Sequence, residues 1–197
     1  MQGKKVYIIS LGCSKNLVDS ELMMNYLVEG GFELIDKIEE AEIIIVNTCA
    51  FIESARTEAV DTILEAAEYK NIGSCEVLVV AGCLPQRYAE ELKLELPEAD
   101  VLMGVDDVTK ICTLIGEAYK KRVSSICGTP DYMENAKRTV RSTPKHYAYL
   151  KIADGCDNRC SYCAIPAIRG PYKSRSMESL IDEAVCMAET GVKEIIL

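Results

Sequence analysis

The stretch Glu42-Ile43-Ile44-Ile45-Val46-Asn47-Thr48-Cys49 carries four consecutive β-branched apolar residues with nothing polar between them. A strand with one wet face alternates apolar and polar side chains, whereas a strand covered on both faces does not. The run therefore predicts an inner strand over residues 42–47. Working outward, residues 6–10, 77–81 and 101–103 read the same way. Between these runs the apolar period becomes helical. Residues 17–29 place Val18, Leu22, Tyr26 and Leu27 on one face, and Gly30-Gly31 stops that helix. Residues 52–69 align Ile52, Ala55, Ala59, Ile63 and Ala67. Pro85 suits the first turn of a helix that Pro97 closes. Asp106 or Asp107 suits the cap of a helix bearing Val108, Ile111 and Ile115. Strands alternating with helices predict an α/β fold over residues 1–127, a parallel sheet with helices on both faces.

Residues 128–145 break the alternation with Pro130, Pro144 and mixed charge, and read as a linker. A second unit, 146–197, opens on a predicted strand over 147–152. A cysteine-rich loop follows, then a helix over 177–189 with Ser176 as its cap and Gly191 just past its end. Another strand begins at Val192. A chain ending on a parallel strand predicts a piece of a longer protein.

The bulk numbers exclude several classes. The chain has 197 residues, 49% hydrophobic and 27% charged, which suits one large or two small globular domains. No apolar run reaches the roughly 18 residues of a membrane helix, so no membrane partner is expected. A net charge of −9 gives no basic footprint for nucleic acid. It suits a basic partner, or simply keeps the protein soluble. No apolar leader precedes Val6, so a cytoplasmic location is expected. Ten cysteines in that setting read as metal or redox ligands, not as disulfides.

Those cysteines fall into two trios. Gly155-Cys156-Asp157-Asn158-Arg159-Cys160-Ser161-Tyr162-Cys163 has the spacing C-x3-C-x2-C. Iron–sulfur clusters usually take four cysteines, so three leave one iron open. An open position likewise separates catalytic from structural zinc. A closed zinc site would need a fourth ligand, and the only histidine, His146, lies ten residues upstream of Cys156. Cys13, Cys49 and Cys83 form the second trio, each directly after a predicted strand. Ligands of open parallel sheets bind beyond the carboxyl ends of the strands, so these three can converge. Each also lies near a helix start, where the dipole favours a thiolate. The competing reading is that they pack under loops, as buried free cysteines often do. Cys75, Cys112, Cys127 and Cys186 show no such placement, and Cys112 and Cys186 read as packing within helices.

C-x3-C-x2-C with Tyr162 before its last cysteine resembles the signature of the radical S-adenosylmethionine (radical SAM) enzymes. In that family the open iron chelates the amino and carboxylate groups of SAM, and one electron releases a deoxyadenosyl radical. Further blocks narrow the likeness. They are Leu11-Gly12-Cys13-Ser14-Lys15-Asn16-Leu17, Asn47-Thr48-Cys49-Ala50-Phe51-Ile52-Glu53, Ala81-Gly82-Cys83-Leu84-Pro85-Gln86-Arg87-Tyr88, and residues 155–176. With them the chain resembles the methylthiotransferases, radical SAM enzymes with an additional N-terminal cluster domain. Cys13-Ser14-Lys15-Asn16, Thr48-Cys49-Ala50-Phe51-Ile52 and Cys163-Ala164-Ile165-Pro166 resemble the ribosomal-protein branch, the RimO type, more than the tRNA branch.

The resemblance implies two 4Fe-4S clusters. One sits on Cys156, Cys160 and Cys163 and cleaves SAM, with Tyr162 in the cofactor-binding segment. The other sits on Cys13, Cys49 and Cys83 and holds the sulfur to be inserted. A second SAM supplies the methyl group, and no catalytic side chain is implied. The substrate is an aspartate β-carbon of a small-subunit ribosomal protein, and the electron donor is one such as flavodoxin. Residues 146–197 then start a radical SAM partial (β/α) barrel. Two alternatives stand beside this reading, a tRNA methylthiotransferase and a non-catalytic iron- or zinc-binding module. Arg159, Arg169, Lys173 and Arg175 make the rim basic, and each taken singly reads as a solvated loop charge. Gly170-Pro171 reads as a turn, and Asn16 and Asn47 stand where they can hydrogen-bond cluster sulfurs.

Overall fold

The β-branched runs become the inner strands of one sheet in the computed structural model, which describes residues 2–126 and 138–197. In chain order the first part comprises β1 (Lys5–Ser10), α1 (Ser14–Glu29), β2 (Glu33–Leu34), β3 (Ile43–Thr48), α2 (Glu53–Ile72), β4 (Val77–Gly82), α3 (Cys83–Glu95), β5 (Val101–Met103), α4 (Ile111–Ala118) and β6 (Val123–Ser125). The strands lie in the order β2-β1-β3-β4-β5-β6, and every pair is parallel. All positions of β3 and β4 are buried, as unalternating hydrophobicity requires. Ile44, Val46, Leu78 and Val80 pack with Ala59 and Ile63 of α2 and Leu92 of α3. Ile43, Ile45, Val77 and Val79 pack on the opposite face with Val18 and Leu22 of α1 and Ile111 and Ile115 of α4.

Several local expectations change. β2 and β6 were not predicted, because strands of two and three residues carry no periodic signal. Ile52 does not join the buried face of α2; it precedes the helix and is 57% exposed. Neither aspartate caps α4. A 3-10 turn, Asp107–Lys110, comes first, and Asp106 makes no side-chain cap bond to it.

The second part contains β7 (Tyr147–Tyr149), β8 (Ala153–Asp154), α5 (Ile165–Arg169), β9 (Lys173–Ser174), α6 (Met177–Glu189) and β10 (Glu194–Ile196). β7 pairs in parallel with β10, and Met187 of α6 packs on Ala148, Leu150 and Val192 beneath them. This is one β/α step. β8 and β9 form a small antiparallel pair that frames the cysteine loop. Ser176 caps α6 as predicted, accepting from the Ser179 amide at 3.3 Å. Most of the expected linker, 128–137, lies outside the described residues, as does Cys127.

α1 joins the two parts. Its apolar face meets the sheet, yet the polar residues Asp19, Glu21 and Asn25 are buried too. Residues of the second part cover them. Arg138 donates to Glu21 Oε2 at 2.6 Å and to Glu183 Oε1 at 2.7 Å. Arg175 pairs with Glu183. Lys151 Nζ meets Asp19 at 2.7 Å and Asp154 at 3.0 Å, and Arg169 Nη1 meets the same carboxylates at 2.6 and 3.2 Å. Arg169 and Arg175 are therefore buried ion-pair partners, not solvated loop charges, while Arg159 and Lys173 are exposed. Burial pushes the Asp154 carboxyl up, but Lys151, Arg169 and Lys15 outweigh it and hold it well below the usual carboxylate range. Asp19 is lowered in the same way, by Arg169 and Lys151 against its burial.

Two outcomes follow from this packing. Ile44→Ala should cost about 2–5 kcal/mol in urea unfolding, whereas Ile72→Ala, at a position 74% exposed, should stay within about 0.5 kcal/mol. The depressed carboxyls hold fewer protons folded than unfolded, so their stabilisation is complete above the ordinary carboxylate pKa and fades as pH falls below about 4. Asp19→Asn should cost about 3 kcal/mol at pH 7 by stripping the partner of two buried cations. It should also flatten the acid limb of a stability-against-pH curve.

Candidate metal centre

The parallel sheet places Cys13, Cys49 and Cys83 beyond three neighbouring strand ends. Cys13 is the N-cap of α1, Cys49 directly follows β3, and Cys83 opens α3 directly after β4. All three line one cavity of about 490 Å3 whose walls include Phe51, Ile52, Ile165, Ile168 and Arg169. The exposure of Ile52 is thus explained, since it faces this cavity and not the core. Cys83 is buried, Cys49 half-buried and Cys13 exposed.

Two glycines make the turns possible. Gly12 has φ +91, and a Cβ there would stand 2.7 Å from Cys49 Cβ and 3.2 Å from its sulfur. Gly82 has φ +95, and its Cβ would meet Asn47 Oδ1 at 2.3 Å. Only glycine fits both the positive φ and the close approach. Asn16 Nδ2 donates to Leu11 O at 3.1 Å and Thr48 O at 2.8 Å, pinning the Cys13 loop to the end of β3. Its Oδ1 lies 3.5 Å from Cys83 Sγ and accepts from Arg169 Nη2 at 2.7 Å. Asn16 therefore stands beside a sulfur, but it turns its amide oxygen and not its Nδ2 toward it. Asn47 does not stand beside one; its Nδ2 donates to Asn16 O and Ser20 Oγ and ties α1 to β3 instead.

Arg169 Nη2 also reaches Cys83 Sγ at 3.6 Å. Burial pushes the Cys83 thiol up, against the attraction of Arg169.

Cys156, Cys160 and Cys163 share the loop between β8 and α5. Cys160 is exposed and the other two half-buried. The Cys163 amide donates to Cys160 O at 3.0 Å, and the Cys156 amide to Gly170 O at 3.1 Å. Gly155 has φ +73, and a Cβ there would lie 2.0 Å from Pro171 O. The loop thus folds back onto the turn foreseen at Gly170-Pro171. Tyr162 is 86% exposed on its outer side. Lys15 bridges toward this loop, with Nζ 3.0 Å from both Asp154 Oδ1 and Ala153 O.

Among the described residues no three histidine, cysteine or acidic side chains already stand as a metal-coordinating group. The structure unites the first trio in one cavity and the second in one loop. Three thiols per site suit an iron–sulfur cluster with one open iron. The donor at the first site, Arg169, favours anionic sulfur. His146 packs edge-on against Tyr147 with ring centroids 5.1 Å apart. Cys112 donates to Tyr26 O at 3.3 Å, and burial raises the Cys75 thiol to about 11, so both serve packing. Sequence reading missed α5 as a wall of the first site. Its signal was present in Ile165, Pro166 and Ile168, because proline in a first turn starts a short helix.

Comparison with known proteins agrees with this arrangement. The chain is 50% identical over 194 residues to the ribosomal protein uS12 methylthiotransferase RimO of Heliobacterium modesticaldum, covering 98% of this chain and 42% of that protein. It is 52% identical over 204 residues to the protein of the same name from Acetivibrio thermocellus, with 98% and 44% covered. For that of Clostridium tetani the identity is 50% over 194 residues, with 98% and 43% covered. The chain spans less than half the length of these curated relatives. Residues 5–104, from β1 to just past β5 and including Cys13, Cys49 and Cys83, match the uncharacterized protein family UPF0004, and the chain belongs to that family.

Proposed function

We propose that this chain is the cluster-binding part of a RimO-type radical SAM methylthiotransferase. The reaction adds a methylthio group to an aspartate β-carbon of the small-subunit ribosomal protein uS12. The observation that carries this reading is the convergence of Cys13, Cys49 and Cys83 on one cavity whose wall, α5, directly follows the C-x3-C-x2-C loop. The names of the relatives support it.

In this reading Cys13, Cys49 and Cys83 hold one 4Fe-4S cluster, and Cys156, Cys160 and Cys163 hold the other with SAM. When bound, these cofactors supply a radical able to take hydrogen from an unactivated C–H bond, together with sulfur and a methyl group. No side-chain base removes so weak a carbon acid. The chain's own residues bind, orient and shield. Phe51, Ile52, Ile165 and Ile168 give the cavity an apolar wall that limits water. Gly155 and Gly170 hold the second loop in a conformation closed to other residues. Arg169 donates toward the Cys83 sulfur, and Asn16 orients that guanidinium by accepting from its Nη2. Residues 1–127 act as the cluster domain and 146–197 as the start of the partial barrel. The enzyme works in the cytoplasm with a one-electron donor such as flavodoxin.

Anaerobic reconstitution with iron and sulfide should load about eight of each per chain. Cys83→Ala should lower both to about four, and a Cys83→Ala protein that still binds eight would remove the first site. The protein at its full native length, given SAM and reductant, should add a methylthio mass to uS12 and none to tRNA. Mass spectrometry of both substrates from parallel incubations checks this, and modification of tRNA instead would overturn the substrate assignment.

A further inference from the structure

Among the described residues Arg169 is placed unlike any other cation. It is 7% exposed, and its two terminal nitrogens serve different partners. Nη1 is held by Asp19 of α1 at 2.6 Å and by Asp154 at 3.2 Å. Nη2 meets Asn16 Oδ1 at 2.7 Å and Cys83 Sγ at 3.6 Å. The residue after it, Gly170, takes the Cys156 amide on its carbonyl at 3.1 Å. Asp154, its second carboxylate, directly precedes Gly155 and Cys156 and accepts from the Gly155 amide at 3.0 Å. One side chain therefore touches the sulfur of the first trio, while the carbonyl of the next residue and the carboxylate that anchors it flank the first cysteine of the second.

We infer that Arg169 is a positioning residue that spans the two cysteine sites, its Nη1 end locked by Asp19 and Asp154 and its Nη2 end set against the sulfur of Cys83. The inference rests on the cluster reading given above. Buried guanidinium is planar and permanently charged, and its fork holds two sets of partners at a fixed distance. A hydrogen bond and a positive charge at a ligand sulfur favour the more negative, reduced form of a cluster, so they raise its potential. Mere interdomain glue would fix the distance but leave the potential of the first site alone.

The test uses the protein at full native length carrying Cys156→Ala, Cys160→Ala and Cys163→Ala, so that this loop holds no cluster. After anaerobic reconstitution, iron is counted and the reduction potential is read by EPR-monitored titration. Absence of bound iron in this background overturns the cluster reading and the inference with it. With about four iron bound, Arg169→Gln should lower the one-electron reduction equilibrium about tenfold, a shift of ~59 mV to more negative potential. Arg169→Lys, which keeps the charge, should shift it less than half as far. Glu183→Gln breaks the ion pairs to Arg138 and Arg175 at the same junction without touching a sulfur and should leave the potential where it was. An unmoved potential in Arg169→Gln, or an equal shift in Glu183→Gln, overturns the inference and leaves the cluster reading standing. If Arg169→Gln fails to keep iron, Arg169→Lys decides: a negative shift supports the inference and none overturns it.

Discussion

A guanidinium cannot leave water without anions to meet it, and Arg169 is nearly as buried as the sheet beneath it. That constraint organises the molecule. Asp19 must stand on the outer face of α1, and Asp154 must end β8 at the mouth of the second cysteine loop. Lys151 and Lys15 supply the further positive charge, because two carboxylates around one cation would leave a surplus negative charge. Each member is tolerable only with the others in place. The polar face of α1, which would otherwise be an ordinary wet helix surface, becomes an interior.

The parallel sheet supplies the second half of the arrangement. Parallel strands all deliver their carboxyl ends to one edge, and each must then turn sharply into a helix. At β1 and β4 the turn is glycine followed by cysteine, with Gly12 and Gly82 in conformations that side chains avoid. Cys49 needs no glycine before it, because β3 runs straight into an extended loop before α2 begins. Three cysteines far apart in sequence thus meet through strand adjacency alone.

Much of this was legible in the sequence, for definite reasons. Ile43 to Val46 announced a doubly covered strand because continuous apolarity has few other uses in so short a run. Ser176 and Gly191 marked the two ends of α6 because caps are local chemistry. The cysteine trio of the strand ends was readable only through topology, and the expected parallel order supplied it. What could not be read were the partners of charges. Arg169 and Arg175 looked like loop cations because their carboxylates lie elsewhere in the chain, and no local pattern joins Arg169 to Asp19. The same holds for Glu21 and Arg138, the second of which belongs to the segment that composition describes as a linker. Asn47 was misassigned for a related reason, since an amide beside a cysteine in sequence can point into the neighbouring helix.

The separation between those partners has a consequence in time. Asp19 and Arg169 lie 150 residues apart. At synthesis rates of about 5–20 residues per second, Arg169 leaves the ribosome roughly 8–30 s after Asp19. The strands from β1 to β5 have all been synthesised before then, which leaves time for them to pair. During that interval the outer face of α1 is solvated, and the cysteine cavity stands open where Ile165 and Ile168 will later close it. The nascent chain therefore passes through a stage in which Cys13, Cys49 and Cys83 are assembled and accessible together, before α5 arrives to roof them.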